Sequence, residues 1–313
     1  MDYIALPDNA SRQVIDSTTV FDEYRRVQAE AGKYAGGMYW KRQGDYEYLV
    51  KTRRDNRQHR VGARSPETEG IFTEFTTRKQ QTESRLQSLR AALGEAERMN
   101  KALKTGRTPA LVVKLLQTIE HAGLGTHFTV VGTHALYAYE TAAGVRFAPG
   151  ALATQDMDLL WDARKRVQFL TDLQRVDASM LRVLQRADPS FRRKDMQNET
   201  AINANGFEVD FLRRMAQGDD VHPFRFSEDA DDLWPVQATR ASVLTEAPRF
   251  EHVVISATGK MALMRTIAPA SFVEFKRWMA KEALNRPEPK RRRDTRQAEI
   301  IQALLDGGLL AAA

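Results

Sequence analysis

The spacing of apolar positions divides the chain into a long polar helical stretch, a middle part mixing strands with helices, and a helical end. From Thr73 to Lys104 only Gly94 interrupts a helix-like segment in which Leu86, Leu89, Leu93, Ala96, Met99 and Leu103 recur three and four apart. That period gathers them in one narrow apolar stripe, which needs a partner: another helix of the same chain, or a second copy across a dimer seam. Docking within the chain is the commoner outcome for such helices. Ahead of it Ser17 to Ala35 can form a helix, and Met38 to Lys51 reads as a hairpin turning at Gln43-Gly44-Asp45, with aromatic residues on its arms. Gly106-Arg107-Thr108-Pro109 then breaks the pattern, with Thr108 set to cap a new helix and Pro109 in its first turn.

Beyond Pro109 the pattern predicts a helix over Ala110 to Ala122, a buried strand Phe128-Thr129-Val130-Val131, a helix-like run from His134 to Tyr139, and a loop around Gly144 to Gly150. A second strand covers Thr154 to Trp161, and helices follow across Ala163 to Arg186. Asn205-Gly206 joins Thr200–Asn203 to Phe207–Asp210, a strong hairpin signal. From Ser271 onward the pattern is helical, with Pro287 and Pro289 splitting two helices. One antiparallel pair among strands mixed with helices argues for an α/β (α+β) fold with a mixed sheet, and against a doubly wound parallel one. Three parts result: 1–107, an N-terminal helical region with a β-hairpin; 108–226, a core; and 227–313, a mainly helical C-terminal region.

Composition narrows the function classes only a little. With 313 residues, 47 Lys and Arg against 41 Asp and Glu, the formal net charge is +6, and the pI is about 9.5. That balance favours a polyanionic partner such as RNA or a nucleotide, as non-specific attraction. The absence of cysteine excludes disulfides, thiolate metal sites and cysteine nucleophiles. Met1 to Pro7 lacks the basic start and apolar run of a secretory signal, and no window approaches the roughly 20 apolar residues of a membrane helix. A soluble cytoplasmic protein without a membrane partner is expected.

The candidate chemistry lies where the first core strand ends. Gly132-Thr133 turns that strand into a helix-like segment, and a helix start offers free N–H groups to a triphosphate, with the Thr133 hydroxyl as a further donor; the plainer alternative is an ordinary helix cap. On the next strand Asp156 and Asp158 are two apart and share a face. Two carboxylates held together repel unless a cation or a shared proton sits between them, and Mg²⁺ (or Mn²⁺) with a substrate's phosphates suits such a pair. Period-two reading from Phe207 to Leu212 puts Val209 and Phe211 on one face and Glu208, Asp210 and Leu212 on the other, so Asp210 completes an acidic cluster. Its plain alternative is a salt bridge to Arg213 or Arg214. Six histidines show no metal-ligand spacing, and only His134, beside the turn, is placed to touch a nucleotide. Glu228-Asp229-Ala230-Asp231-Asp232 reads as a solvated acidic loop. Tyr39, Trp40, Tyr46 and Tyr48, interleaved with Lys41, Arg42 and Lys51, could stack on RNA bases or pack a small hairpin core.

An apolar strand, a Gly-Thr turn, an Asp-x-Asp on the next strand and a later single Asp together resemble the nucleotidyltransferase superfamily with a DNA-polymerase-β-like catalytic fold. Within it the chain looks most like a bacterial group of similar length. The likeness extends over Met38-Tyr39-Trp40-Lys41, Tyr46-Glu47-Tyr48-Leu49, Gly62 to Glu69, Val131 to Leu136, Lys276, Trp278, Arg286 to Asp294 and Gln297-Ala298. The resemblance implies transfer of an NMP from an NTP such as ATP to an acceptor hydroxyl, with RNA (a tRNA 3′ end, for instance) favoured over a protein or small molecule. It implies Asp156, Asp158 and Asp210 as metal-binding catalytic residues, Gly132 and Thr133 on the phosphates, and Lys276 and Lys290 on the departing pyrophosphate. Asp294 would orient a cation or cap the last helix. A toxin–antitoxin or defence role, with an antitoxin partner or homodimer, is implied only by the resemblance, and the rival is a nucleotide- or nucleic-acid-binding regulator that keeps the fold without turnover. Two departures stand out: 22 residues separate Thr133 from Asp156, and His134 stands where many relatives carry a small residue.

Overall fold

The computed structural model describes residues 2–53, 56–152, 154–218, 220–283 and 286–312. Its elements begin with a short strand β1 (Tyr3–Ala5) and a long helix α1 (Asp8–Lys33), then β2 (Gly37–Gln43), β3 (Tyr46–Thr52), β4 (Gln58–Ala63) and helix α2 (Pro66–Ala102). Two compact units emerge, one of Arg12–Met99 and one of the chain up to Ser11 together with that from Asn100.

In the Arg12–Met99 unit α1 and α2 run antiparallel. Gln13 Nε2 donates to the Ala96 carbonyl at 3.3 Å, Glu23 pairs with Arg85, and the rings of Tyr34 and Phe75 lie 5.7 Å apart. Val14, Phe21 and Val27 of α1 are buried with Phe75, Leu86 and Ala96 of α2, so Leu86 and Ala96 of the stripe meet a partner within the same unit, while Met99 is exposed and Leu103 lies beyond α2. Helix α2 starts earlier than its apolar period suggests because Ser65 and Thr68 cap it reciprocally: the Thr68 amide donates to Ser65 Oγ and the Ser65 amide to Thr68 Oγ1. The hairpin β2–β3 turns at Gly44 with φ +62°, and β4, a third antiparallel strand, extends it.

The larger unit continues with α3 (Ala110–His121), β5 (Phe128–Val131), α4 (Leu136–Ala142), β6 (Val145–Phe147), α5 (Pro149–Leu152), β7 (Asp156–Trp161), α6 (Arg166–Val176), α7 (Met180–Ala187), β8 (Arg192–Lys194), β9 (Gln197–Ile202) and β10 (Glu208–Arg213). Then come β11 (Val236–Gln237), α8 (Ala241–Glu246), β12 (Arg249–Ile255), β13 (Met261–Ile267), α9 (Pro269–Lys281) and α10 (Glu288–Asp306). The main sheet has the order β5-β7-β10-β9-β8, with β11 beside β10. β10 is parallel to β7 and β11 and antiparallel to β9, so the fold is α/β with a mixed sheet, as expected.

Alternation sorts the two faces of this sheet. Met157, Leu159, Val209 and Phe211 are buried on the side where Trp161 stacks on Phe224 at 4.6 Å between centroids, with Phe169 and Phe226 edge-on or tilted around it. The opposite face carries the acidic residues.

Three sequence expectations change. The segment 144–150 holds β6, paired with β1, and the start of α5. The 227–313 region contains a β12–β13 hairpin between α8 and α9. It is tied into the core by Thr266 Oγ1 donating to the Val130 carbonyl and by Tyr139 Oη donating to that of Ile267, both at 2.7 Å. Asp232 is fully buried, not solvated: its carboxylate accepts from the amides of Met180 and Leu181 at the start of α7 and from Ser227 Oγ, satisfying helix donors that would otherwise lie unpaired. Among the described residues no helix is long and apolar enough to cross a membrane.

Candidate active site

The site begins at the corner after β5. Val131 is extended and Gly132 takes φ +71°, a conformation that only glycine adopts without strain. A Cβ there would lie 2.3 Å from Asp158 Oδ2, so the bare backbone is what lets this carboxylate approach the turn. The first turn, Gly132–Ala135, is 3₁₀ and α4 begins only at Leu136. Thr133 is buried, and its Oγ1 accepts from Gln297 Nε2 at 3.2 Å, while the same nitrogen donates to the Ala151 carbonyl at 2.7 Å. Gln297 thereby ties α10 to the corner, and no protein partner meets its Oε1 among the described residues.

Parallel pairing of β7 with β10 sets the carboxylates. Asp158 is the register partner of Asp210, and Asp156 that of Glu208. Burial, then Asp156 and Asp210, push the Asp158 carboxyl up to about 7, while Lys276 and Arg286 pull it down. Asp210 is also raised, by burial first, although Thr200 Oγ1 donates to its Oδ1 at 2.5 Å and opposes the shift; Glu208 and Asp156 add to it. Asp210 does not take the alternative partners, since Arg214 pairs with Asp220 at 2.8 Å and Arg213 Nη1 donates to the Val221 carbonyl. All donors in the cluster are hard carboxylate oxygens, the set a magnesium-type ion prefers. As the side chains stand, no group of three or more His, Cys, Asp or Glu among the described residues is arranged to hold a metal ion.

A cavity of about 600 Å³ opens on this face. Gly132, Thr133, Asp156 and Asp158 line one part, Lys276, Arg286, Lys290 and Arg293 supply cations, and Phe275, Trp278, Met279 and Leu244 give an apolar wall. Asp210 is not among the lining residues; its neighbour Leu212 on the same face is.

Lys276 is not the mobile charge expected of a lysine at a phosphate site. It is 3% exposed, and its Nζ donates to Asp294 Oδ1 at 2.9 Å. Asp294, fully buried, also accepts from Arg286 Nε through its other oxygen. Burial lowers the Lys276 pKa and Asp294 opposes that shift. Asp294 thus orients two cations toward the cavity. Arg286 was not expected as a site residue; the signal available was its place in the Arg-Pro-Glu-Pro opening of the last helix. His134 lies outside the cavity lining and is buried. Its Nδ1 donates to the Asp156 carbonyl at 2.9 Å, the ring sits among Tyr137 and Phe207, and burial lowers its pKa to about 4. It is a neutral prop for the β7 backbone, not a nucleotide contact.

A family model described as Nucleotidyltransferase matches residues 110–311. The chain belongs to this nucleotidyltransferase family. No curated protein and no solved structure matches it. The matched span holds every residue that lines this nucleotidyltransferase's cavity and leaves the Arg12–Met99 unit outside. The family implies a transferase acting on an NTP.

Proposed function

We propose that this nucleotidyltransferase moves a nucleoside monophosphate from an NTP to an acceptor hydroxyl, a reaction of the EC 2.7.7 type, on a polymerase-β-like core. The observation that carries the reading is the facing of Asp158 and Asp210 across parallel strands, with Asp156 two residues away and a cation-lined cavity beside the glycine corner. The catalytic core spans 108–226, the region 227–313 completes the cavity, and 1–107 is an appendage.

Asp156, Asp158 and Asp210 would hold Mg²⁺ or Mn²⁺. When bound, the metal supplies charge stabilisation for an in-line displacement. Gly132 and Thr133 hold the β- and γ-phosphates. Asp210, opposite Asp158 on β10, takes the proton of the acceptor hydroxyl as that oxygen bonds to the α-phosphorus. The bond from the α-phosphorus to the bridging oxygen breaks, and pyrophosphate leaves against Lys276, Arg286 and Lys290. The basic balance of the chain supports an RNA 3′ end as acceptor ahead of a protein or small molecule. The resemblance alone extends the proposal to the cytoplasm of a bacterium and to a toxin–antitoxin or defence system, with an antitoxin or a second copy as partner.

One observation favours the second reading, a nucleotide-binding regulator without turnover: the carboxylates are not arranged for a metal as they stand. Incubation with each α-phosphate-labelled NTP, Mg²⁺ and total RNA, beside Asp156→Ala/Asp158→Ala, separates the two. Label on RNA that disappears in the double variant supports transfer. NTP binding with no label on RNA, protein or small acceptors supports the regulator.

A further inference from the structure

The sheet β2–β4 has two faces with different occupations. Trp40 and Leu49 are register partners and share one face; there Leu49 is fully buried, Trp40 lies 5.9 Å from Phe72 of α2 and Lys51 lies over Phe75. This face supplies the packing that a small three-stranded sheet needs. The other face buries Val50 and leaves Tyr39 and Tyr46 exposed.

That second face is set by the pairs Tyr39 with Val50, Lys41 with Tyr48, and Gln43 with Tyr46. Val50 at its root is buried, and beyond it Tyr46 is 66% and Tyr39 38% exposed. Lys41, Gln43 and Arg60 are exposed too. The rings of Tyr46 and Tyr48 lie 6.4 Å apart, and the Arg60 guanidinium sits over the Tyr48 ring. Between Gly37 and Ala63 the sequence has seven Lys and Arg against three Asp and Glu. The exposed rings of Tyr39 and Tyr46, and the half-buried ring of Tyr48 with Arg60 on one side, stand among excess cations and match the two requirements of single-strand binding: stacking for bases and positive charge for the backbone. The unit lies outside the matched family span, as a module separate from the transfer chemistry would.

We infer that the outward face of β2–β4 is a binding platform for single-stranded RNA, with bases stacked on Tyr46 and Tyr48, Tyr39 extending the row, and Lys41 and Arg60 on the phosphates. It rests on the reading of RNA as acceptor, for which this unit would be the holding site.

The test is fluorescence anisotropy of the full-length protein with a labelled single-stranded RNA of about twelve nucleotides. Tyr46→Ala/Tyr48→Ala should weaken binding by at least about tenfold, and Tyr46→Phe/Tyr48→Phe should restore it, since stacking needs no hydroxyl. Lys41→Ala should lower the slope of log affinity against log salt by about 0.7. RNA binding that the double alanine variant loses, with no label transferred to RNA by the wild type, upholds this platform while failing the transfer reading. The inference is overturned by unchanged affinity in the double alanine variant, by no RNA binding at all, by equal binding of single-stranded DNA of the same sequence, or by a dimer in sedimentation that the tyrosine substitutions dissolve.

Discussion

The Asp158 carboxylate fills the space in which a side chain on Gly132 would begin, with Oδ2 2.3 Å from the ideal Cβ position. Gly132→Ala must therefore displace Asp158 and also hold alanine at φ +71°, a strain of about 1–3 kcal/mol. The expected result is a folded protein with a lower Tm and nucleotidyl transfer reduced by about 100-fold or more, because a shift near 1 Å at a reacting group costs that much. Wild-type transfer in this variant would show that the close approach has no catalytic part.

Asp294 is the shared counter-charge of Lys276 and Arg286. Its removal in Asp294→Ala leaves a buried ammonium uncompensated and should cost about 3–5 kcal/mol in denaturant unfolding. Lys276→Met/Arg286→Met/Asp294→Leu, which removes both cations with their counter-charge, should regain most of that stability, since an apolar group of similar size is tolerated where a buried ion triad stood, while transfer stays low. Equal instability of the single and triple variants would contradict the account of this triad.

Lys290 differs from Lys276 in being exposed while still lining the cavity. Lys290→Ala should leave the Tm unchanged and raise the KM for NTP by about tenfold, the loss of one charge-assisted phosphate contact. An unchanged KM would remove Lys290 from the site.

In the metal-free protein the Asp158 carboxyl is raised to about 7 from an ordinary value near 3.8. Between these values the folded state holds a proton that the unfolded state has released, so this group's contribution falls as pH rises from about 4 to about 7. Wild type minus Asp158→Asn, measured by unfolding in a chelator, should show that decline, amounting to up to about 4 kcal/mol. His134 has the opposite sign. Its pKa lies near 4, so the stability of its neutral form is full above about 6.5 and lost as pH falls toward 4. A flat difference curve for Asp158→Asn would mean that neither burial nor its acidic neighbours raise it.

The period-two run from Phe207 and the Asp-x-Asp were enough to put Asp156 and Asp158 on one face of their strand and Asp210 on a face of another, because alternation decides the face without knowledge of neighbours; the parallel pairing that sets Asp158 opposite Asp210 was not legible. The apolar stripe of α2 was equally legible as a stripe, though its partner α1 was not, since the contacts between Gln13 and Ala96 and between Tyr34 and Phe75 join distant positions. β12 and β13 were missed because Val253 to Ile255 and Met261 to Met264 are short continuous apolar runs without alternation, which period alone does not separate from helix. Charge was the least legible quantity. Asp232 resembles a surface acid in sequence, and only the fold reveals the helix amides around it; for Asp294 the resemblance implied a cation or a helix cap, and the fold shows two cations.

The most direct measurement is a crystal structure with Mn²⁺ and a non-hydrolysable NTP, recorded for manganese anomalous scattering. The account predicts an anomalous peak at about 2.1–2.3 Å from oxygens of Asp156, Asp158 and Asp210, a bond length between those of magnesium and calcium, with the triphosphate against Gly132 and Thr133. Nucleotide bound in the cavity with no manganese between these carboxylates, or with Asp210 turned away from the ion, would contradict it.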